Sequence, residues 1–378
     1  MTTRIESLTV HTRRIPLVRP FVTAVRTATH IDAMLVEARD SDGRSGWGEA
    51  PTSWRVTGES PQSVTAAVEG PLSEAVAGCP IDEPEGTSRM LARALARNSA
   101  ARMAVDCAVY DLAAQAAGMP LFRYLGGTAA QVHTDMTLSA GISDADIAQM
   151  VETALMHRDA GFGTIKVKVG GGGDDVATMK ALRTALGDDV ILRADANQAW
   201  TPEQAVHVIG AWEDLGLRVQ LVEQPVAMDD LESLAHVTHS VDTPILADES
   251  VWSLRDLKEV ILRRAADMVN IKLAKSGGLR EGLNLMRLAA DSGMTAIVGC
   301  MMESSVGISA AASLASAIEA GSDTPATAIS AGRRFAHDLD GGLWTAQSPV
   351  DGGATYEAET VRLPDEPGLG ISALRAIS

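Results

Sequence analysis

A parallel (β/α)-barrel joined to a separate α+β domain is the fold class this sequence predicts, and three observations predict it. First, between residues 163 and 304 a charged residue closes one short apolar stretch after another: Lys166 and Lys168 in TIKVKV, Asp195 in VILRADAN, Glu223 in VQLVEQP, Asp248 in PILADES and Lys272 in MVNIKLAK. Second, the intervals from Lys168 to Asp195, Glu223, Asp248 and Lys272 are 27, 28, 25 and 24 residues, and TAIVGCMMES follows after 28 more. That is the length of one strand plus one helix, with a functional residue at the C-terminal end of each strand. Third, 378 residues exceed a plain barrel of about 250, which leaves about 120 for a second domain.

The first 60 residues read as strands. IESLTVHTRRIPL alternates, and DAMLVEARDSDGRSGWGEA is a hairpin around Asp42-Gly43, a strong turn signal. RPFVTAVRTATH between them reads as a long connection, the kind of loop that binds or covers a ligand. Residues 61–118 are helical: Pro61 suits a helix start, and ARMAVDCAVYDLAAQAAG has helical spacing up to Gly118 and Pro120. Strands followed by helices make this an α+β unit.

The barrel begins near HTDMTLSAG, with Thr137 on its first strand. Helices follow the strands, several with a Ser, Thr or Asp in front and a Gly behind. The last strand is placed in RRFAHDLDGGL, 38 residues after Cys300, so that GSDTPATAISAG is an inserted loop before it. The tail, YEAETVRLPDEPGLGI, has strand character and is expected to return to the first domain. The expected division is 1–125, 126–350 for the barrel, and 351–378.

Composition narrows the function. The chain is 46% apolar and carries 32 basic against 49 acidic residues, a net charge of −17. It has no basic stripe, which argues against nucleic acid or an anionic membrane as partner. The three scattered cysteines suggest neither a disulfide framework nor a zinc pattern. MTTRIESLTV is not a signal peptide, and no apolar run reaches the roughly 18 residues of a membrane span. A cytoplasmic enzyme is expected.

Residues two apart on a strand share a face, with Cα atoms roughly 6.6 Å apart. Lys166 and Lys168 therefore point into the barrel if Ile165, Val167 and Val169 face the helices. On the sixth strand Asn270 and Lys272 share a face, which favours Lys272 over Lys275 as the inward lysine. A lone lysine is ordinarily a solvated surface residue, but two on one face of a barrel strand and a third across the barrel are not ordinary. Asp195, Glu223 and Asp248 fall on successive strands. Each taken alone reads as a helix cap or an ion pair; together they would repel, and a divalent cation resolves this. All-oxygen ligation suits Mg²⁺.

Such a set suits removal of a proton next to a carboxylate, which gives a doubly charged enediolate. A lysine base must be neutral, at about 4.6 kcal/mol at pH 7 from an ordinary pKa of about 10.4. A like charge nearby, Lys166 beside Lys168, lowers that figure. Lys168 and Lys272 lie across the barrel and can address opposite faces of one carbon, so that one takes a proton and the other returns one. The outcome is inversion of a stereocentre.

The run KVKV, DAN, EQP, ADES and NIKLAKSGGL closely resembles the enolase superfamily, in its muconate-lactonizing-enzyme subgroup. GWGEAPTSWRVTGE resembles the subgroup's capping-domain loop, and FRYLGG its approach to the barrel. The resemblance covers essentially the whole chain. It implies an α+β capping domain over a modified barrel, Asp195, Glu223 and Asp248 as Mg²⁺ ligands, and Lys168 and Lys272 as the acid/base pair. GCMMESSVGISAA and Asp338-Leu339-Asp340 are similar to dipeptide epimerases of the L-Ala-D/L-Glu type. There the two aspartates hold the substrate's α-ammonium group; Asp before Gly341-Gly342 is otherwise a common turn residue. Arg26 in VTAVRT resembles the capping-loop arginine that meets a glutamate side chain, with Arg55, Arg333 and Arg334 as competitors. Thr137, Cys300 and Met302 complete the expected substrate contacts. The resemblance thus implies a Mg²⁺-dependent epimerase of L,L-dipeptides, expected as a homo-oligomer. The alternatives are an N-acylamino-acid racemase, an o-succinylbenzoate synthase or a cycloisomerase of the same subgroup. A dehydratase of the mandelate racemase type would show a histidine on the seventh strand, where AIVGCMMES has none.

Overall fold

The structure, a computed structural model, describes residues 2–22, 27–139, 146–321 and 335–377. Arg26, Arg333 and Arg334 lie outside the described residues, as does the inserted stretch from residue 322 to 334.

Three antiparallel strands open the chain: β1 (Ile5–Val22), β2 (Thr27–Asp40) and β3 (Ser45–Pro51), in the order β1-β2-β3. The β2–β3 turn falls at Asp42-Gly43, with Gly43 at φ +83°. The long connection expected between the first two strands is shorter, because pairing resumes at Phe21↔Ala28 and Val22↔Thr27 after an irregularity beyond Pro16. The helix Ser99–Ala116 lies against this sheet and is buried along nearly its whole length. Gly46 and Gly48 permit that approach: a Cβ on Gly48 would sit 2.0 Å from the Ala104 carbonyl oxygen, and one on Gly46 2.3 Å from that of Ala108.

Seven parallel strands then form one curled sheet in the order β11-β10-β9-β8-β7-β6-β5. They are β5 (Met136–Leu138), β6 (Thr164–Lys168), β7 (Ile191–Asp195), β8 (Val219–Glu223), β9 (Ile245–Ala247), β10 (Met268–Lys272) and β11 (Thr295–Gly299), with β4 (Gln131–His133) just ahead of them. Helices follow the strands. Thr201 and Gln204 form a reciprocal cap, and Asp174, Asp230 and Ser253 each accept a backbone N–H at a helix start. The eighth position is held by a short segment. The Asp338 N–H donates to Val298 and the Cys300 N–H to Asp338, while the His337 N–H donates to His133 and the Asp135 N–H to His337. His337 and Asp338 thus bridge β11 to the chain leading into β5, in parallel on both sides.

Alternation along the strands sorts the side chains. Ile165, Val167, Leu192, Ala194, Val269, Ile271 and Val298 face the helices in the main core. Leu221, Leu246, Met268, Ile297 and Phe335 form a separate apolar cluster. The four of these on strands precede the strands' C-terminal ends and alternate with the outward set, so with Phe335 they fill the lower barrel. Next to them lies a buried ion pair, Arg193 to Asp135 at 2.9 Å, with the guanidinium 4.6 Å from the centre of the Phe335 ring.

The tail touches several elements. The hairpin β13 (Thr355–Glu357) and β14 (Thr360–Arg362) pairs with β4, while β12 (Val350–Gly352) pairs with β15 (Ile371–Leu374). Gly368 bridges Pro120, and the Leu369 N–H donates to Asp111 on the helix Ser99–Ala116. Among the described residues no helix is long and apolar enough to cross a membrane.

Candidate active site

The C-terminal ends of the strands converge on one cavity. It is lined by Thr137, Lys166, Lys168, Asp248, Lys272, Cys300, Met302, Asp338 and Asp340, with Phe21 and Arg55 from the capping domain. Asp195 and Glu223 lie beneath it, fully buried, as neighbours in the β7–β8 register. Asp248 stands two residues beyond Leu246, which pairs with Glu223, and so turns to the same face.

The charges form one network. Lys166 Nζ lies 2.7 Å from Glu223 Oε2, 2.8 Å from Asp338 Oδ2 and 3.0 Å from Asp195 Oδ2. Lys168 donates to the same Asp195 oxygen at 2.6 Å, and Lys272 to Asp248 Oδ2 at 2.8 Å. Asn270 Nδ2 joins Glu223 and Asp338, at 3.1 and 3.2 Å. Burial pulls the Lys166 ammonium down, but Asp195, Asp338 and Glu223 outweigh it and hold it well above its ordinary value. Asp248 and Glu223 do the same for Lys272 against burial. Against burial, Lys166 and Lys168 hold Asp195 below the usual carboxylate range. Glu223 goes the other way: burial and the Asp195 charge push it up to about 8.

The donor set fits a divalent cation. Asp195, Glu223, Asp248, Glu249, Asp338 and Asp340 are six buried carboxylates, set against the four ammonium groups of Lys166, Lys168, Lys272 and Lys275. The difference is two negative charges. Glu249 Oε2 is buried without a hydrogen-bond partner, and burial beside Asp195 disfavours the Glu223 charge, which a cation would offset. A second acidic group, Asp135, Asp338 and Asp340, also draws together. Asp135 pairs with Arg193 through one oxygen, and the other two face lysine and backbone donors.

Some functional neighbours carried little signal in the sequence. Gln224 is fully buried; its Oε1 accepts the N–H groups of Asp248 and Ser250 and so fixes the end of β9. Only its place in EQP, between a candidate ligand and a proline, marks it. Lys275, the weaker lysine by strand parity, is 2% exposed and reaches Asp248 Oδ1 at 2.5 Å. A one-turn helix, Leu273–Ser276, begins where β10 ends and swings Lys275 back over the site, which strand alternation does not foresee.

Buried carboxylates and lysines gathered at a barrel's strand ends, under a capping sheet, mark the place where barrel enzymes carry their active sites. Two family models match: "Mandelate racemase / muconate lactonizing enzyme, N-terminal domain" over residues 5–126 and "Enolase C-terminal domain-like" over residues 149–377. The chain belongs to this enolase superfamily. It is 39% identical over 361 residues to the L-Ala-D/L-Glu epimerase of Bacillus subtilis, covering 94% of this chain and 93% of that one. The substrate-liganded structure of that Bacillus subtilis epimerase superposes with a TM-score of 0.91 at 35% identity, covering 99% and 100% of the two chains. The dipeptide epimerase of Enterococcus faecalis V583, complexed with Mg and L-Leu-L-Tyr, does so at 0.88 and 36%, covering 98% and 100%. The chain is an enzyme of the isomerase class.

Proposed function

We propose that this enzyme is a Mg²⁺-dependent dipeptide epimerase, inverting the α-carbon of the C-terminal residue of an L,L-dipeptide. The observation that carries the reading is the placement of Lys168 and Lys272 around one cavity that Asp338 and Asp340 also line. Lys168 ends β6 and Lys272 ends β10, four strands apart in the sheet order. In an eight-position barrel that separation is diametric, so the two amines address opposite faces of a substrate held between them.

Lys168, as the neutral amine, removes the α-proton from one face; Lys272, as the ammonium, delivers a proton to the other. The roles exchange for the reverse direction, through an enediolate of the substrate. Asp195, Glu223 and Asp248 would hold Mg²⁺, which when bound supplies positive charge next to the substrate carboxylate. Lys166 touches three carboxylates and serves as a fixed cation rather than a proton carrier. Asp338 and Asp340 bind the free amino terminus, and Thr137, Cys300 and Met302 line the substrate's side of the cavity. Of the arginines proposed to meet a substrate carboxylate, Arg55 is a cavity residue; Arg26 remains a proposal from the sequence.

The test is incubation of a pooled L,L-dipeptide library with enzyme and Mg²⁺ in D₂O. A gain of one mass unit in some dipeptides, together with the D-epimer, supports the reading. No deuterium in any dipeptide overturns it and turns attention to N-succinylamino acids. Asp340→Asn adds a second check: it should weaken dipeptides more than their N-acylated analogues.

A further inference from the structure

Asp340 is held from behind by one backbone N–H and one indole N–H. Its Oδ2 accepts two hydrogen bonds, from the Thr137 backbone N–H at 2.8 Å and from the Trp344 indole N–H at 3.0 Å. Its other oxygen makes no hydrogen bond to a described residue, and the side chain lines the cavity. Trp344 is 1% exposed and is clamped on two sides by β1 of the capping domain. The Arg19 guanidinium carbon sits 4.7 Å from the centre of its ring, and Phe21 meets it edge to face at 4.7 Å. The backbone secures the same junction: Leu17 bridges Thr345, and the Ala346 N–H donates to the Pro16 carbonyl. Arg19 is itself held from the far side, its Nη2 donating to His157 Nε2 at 2.8 Å on the helix Ile147–Asp159.

We propose that Trp344, clamped by Arg19 and Phe21, is a positioning residue that fixes one oxygen of Asp340 and so presents the other to the substrate's ammonium group. The inference rests on the epimerase reading above. A carboxylate that accepts two hydrogen bonds on one oxygen has lost the freedom to rotate, and its open oxygen is aimed before the ligand arrives. The clamp also ties the grip on the amino terminus to the capping strand. Phe21 touches Trp344 on one side and the cavity on the other, so seating of β1 and orientation of Asp340 go together. Arg19 adds a positive charge that favours the ionised form of Asp340, whose carboxyl is pushed up by burial and by Asp338.

The experiment compares the wild type, Trp344→Phe and Arg19→Met on a dipeptide that the wild type exchanges in D₂O. Trp344→Phe keeps an aromatic ring under Arg19 but lacks the N–H. We expect its KM to rise roughly tenfold, the usual weight of a hydrogen bond to a charged group, with kcat changed less than about threefold. The Ki of the N-acetylated dipeptide, which carries no ammonium group, should stay as in the wild type. Arg19→Met, at a half-buried position, should shift KM in the same direction by about threefold. An unchanged dipeptide KM in both variants overturns the proposal, as does a parallel loss against dipeptide and N-acetyl analogue, which marks a merely structural role. If Trp344→Phe does not fold, Arg19→Met decides by the same criteria. A wild type that exchanges no dipeptide overturns the epimerase reading, and this inference with it, so the two failures are told apart.

Discussion

Lys168 donates to Asp195 Oδ2 at 2.6 Å, and Lys166 reaches that same oxygen at 3.0 Å. One carboxylate oxygen thus holds two ammonium groups in the place where a cation-binding carboxylate would turn to its ion. Mg²⁺ binding should therefore stabilise the fold. At one hundred times its Kd the gain is about 2.7 kcal/mol, or roughly 3 °C in Tm for a chain of this size. Thermal unfolding against Mg²⁺ concentration checks this. Glu223→Gln should flatten the rise, and a chelator should abolish turnover without unfolding the protein.

Each lysine of the opposed pair should carry one face of the substrate. Lys168→Ala and Lys272→Ala are each expected to lower inversion about 10³-fold, near the middle of the range for general acid/base groups. Each should still exchange the α-proton of one enantiomer, through the lysine that remains. Separate D₂O exchange of the L,L- and L,D-dipeptides, followed by NMR, checks the pattern. Full inversion in either variant rules the two-base scheme out.

Gly299 closes β11 beside Lys272. A Cβ there would lie 2.4 Å from Asn270 Oδ1 and 2.7 Å from Lys272 Cε. Gly299→Ala should displace the Lys272 chain and cost about 1–3 kcal/mol through overpacking. Exchange on the enantiomer served by Lys272 should fall at least tenfold more than exchange on the other. Denaturant titration gives the stability, and the same NMR assay gives the asymmetry.

His157 sets an acid limit on stability. Burial and then the Arg19 charge lower its pKa to about 4, against about 6.5 in an unfolded chain. Between those values the unfolded state binds more protons, so stability rises with pH there. It is fully present above about 6.5 and is lost as pH falls toward 4. Allowing for partial solvation, the loss is about 2 kcal/mol. His157→Gln should lose less stability between pH 7.5 and pH 4.5 than the wild type, measured by urea unfolding at both.

Much of this protein was legible in its sequence because the informative patterns are local. The 24–28-residue beat of charged strand ends is one strand and one helix repeated, and alternation on β6 and β10 puts Lys166, Lys168, Asn270 and Lys272 on inward faces without knowledge of the rest. The enolase-superfamily fold follows from those motifs. The reach of β1 through Val22 was not legible, since backbone pairing with β2 outweighs the loop-like composition of RPFVTAVRTATH. Nor was the turn that brings Lys275 back over Asp248, which depends on a helix starting the moment β10 ends.

By itself, then, the sequence determined the barrel, the charged residues at its strand ends and the family, because the motifs that carry them are local and recur along the chain. Only the tertiary structure decided how the charges compensate one another. Lys166 meets Asp338 across 172 positions of sequence, and Asp340 takes its second donor from a Thr137 N–H 203 positions away. Such partners are chosen by barrel closure and by the docking of β1 on Trp344, where burial removes water and makes an unpartnered charge or donor costly.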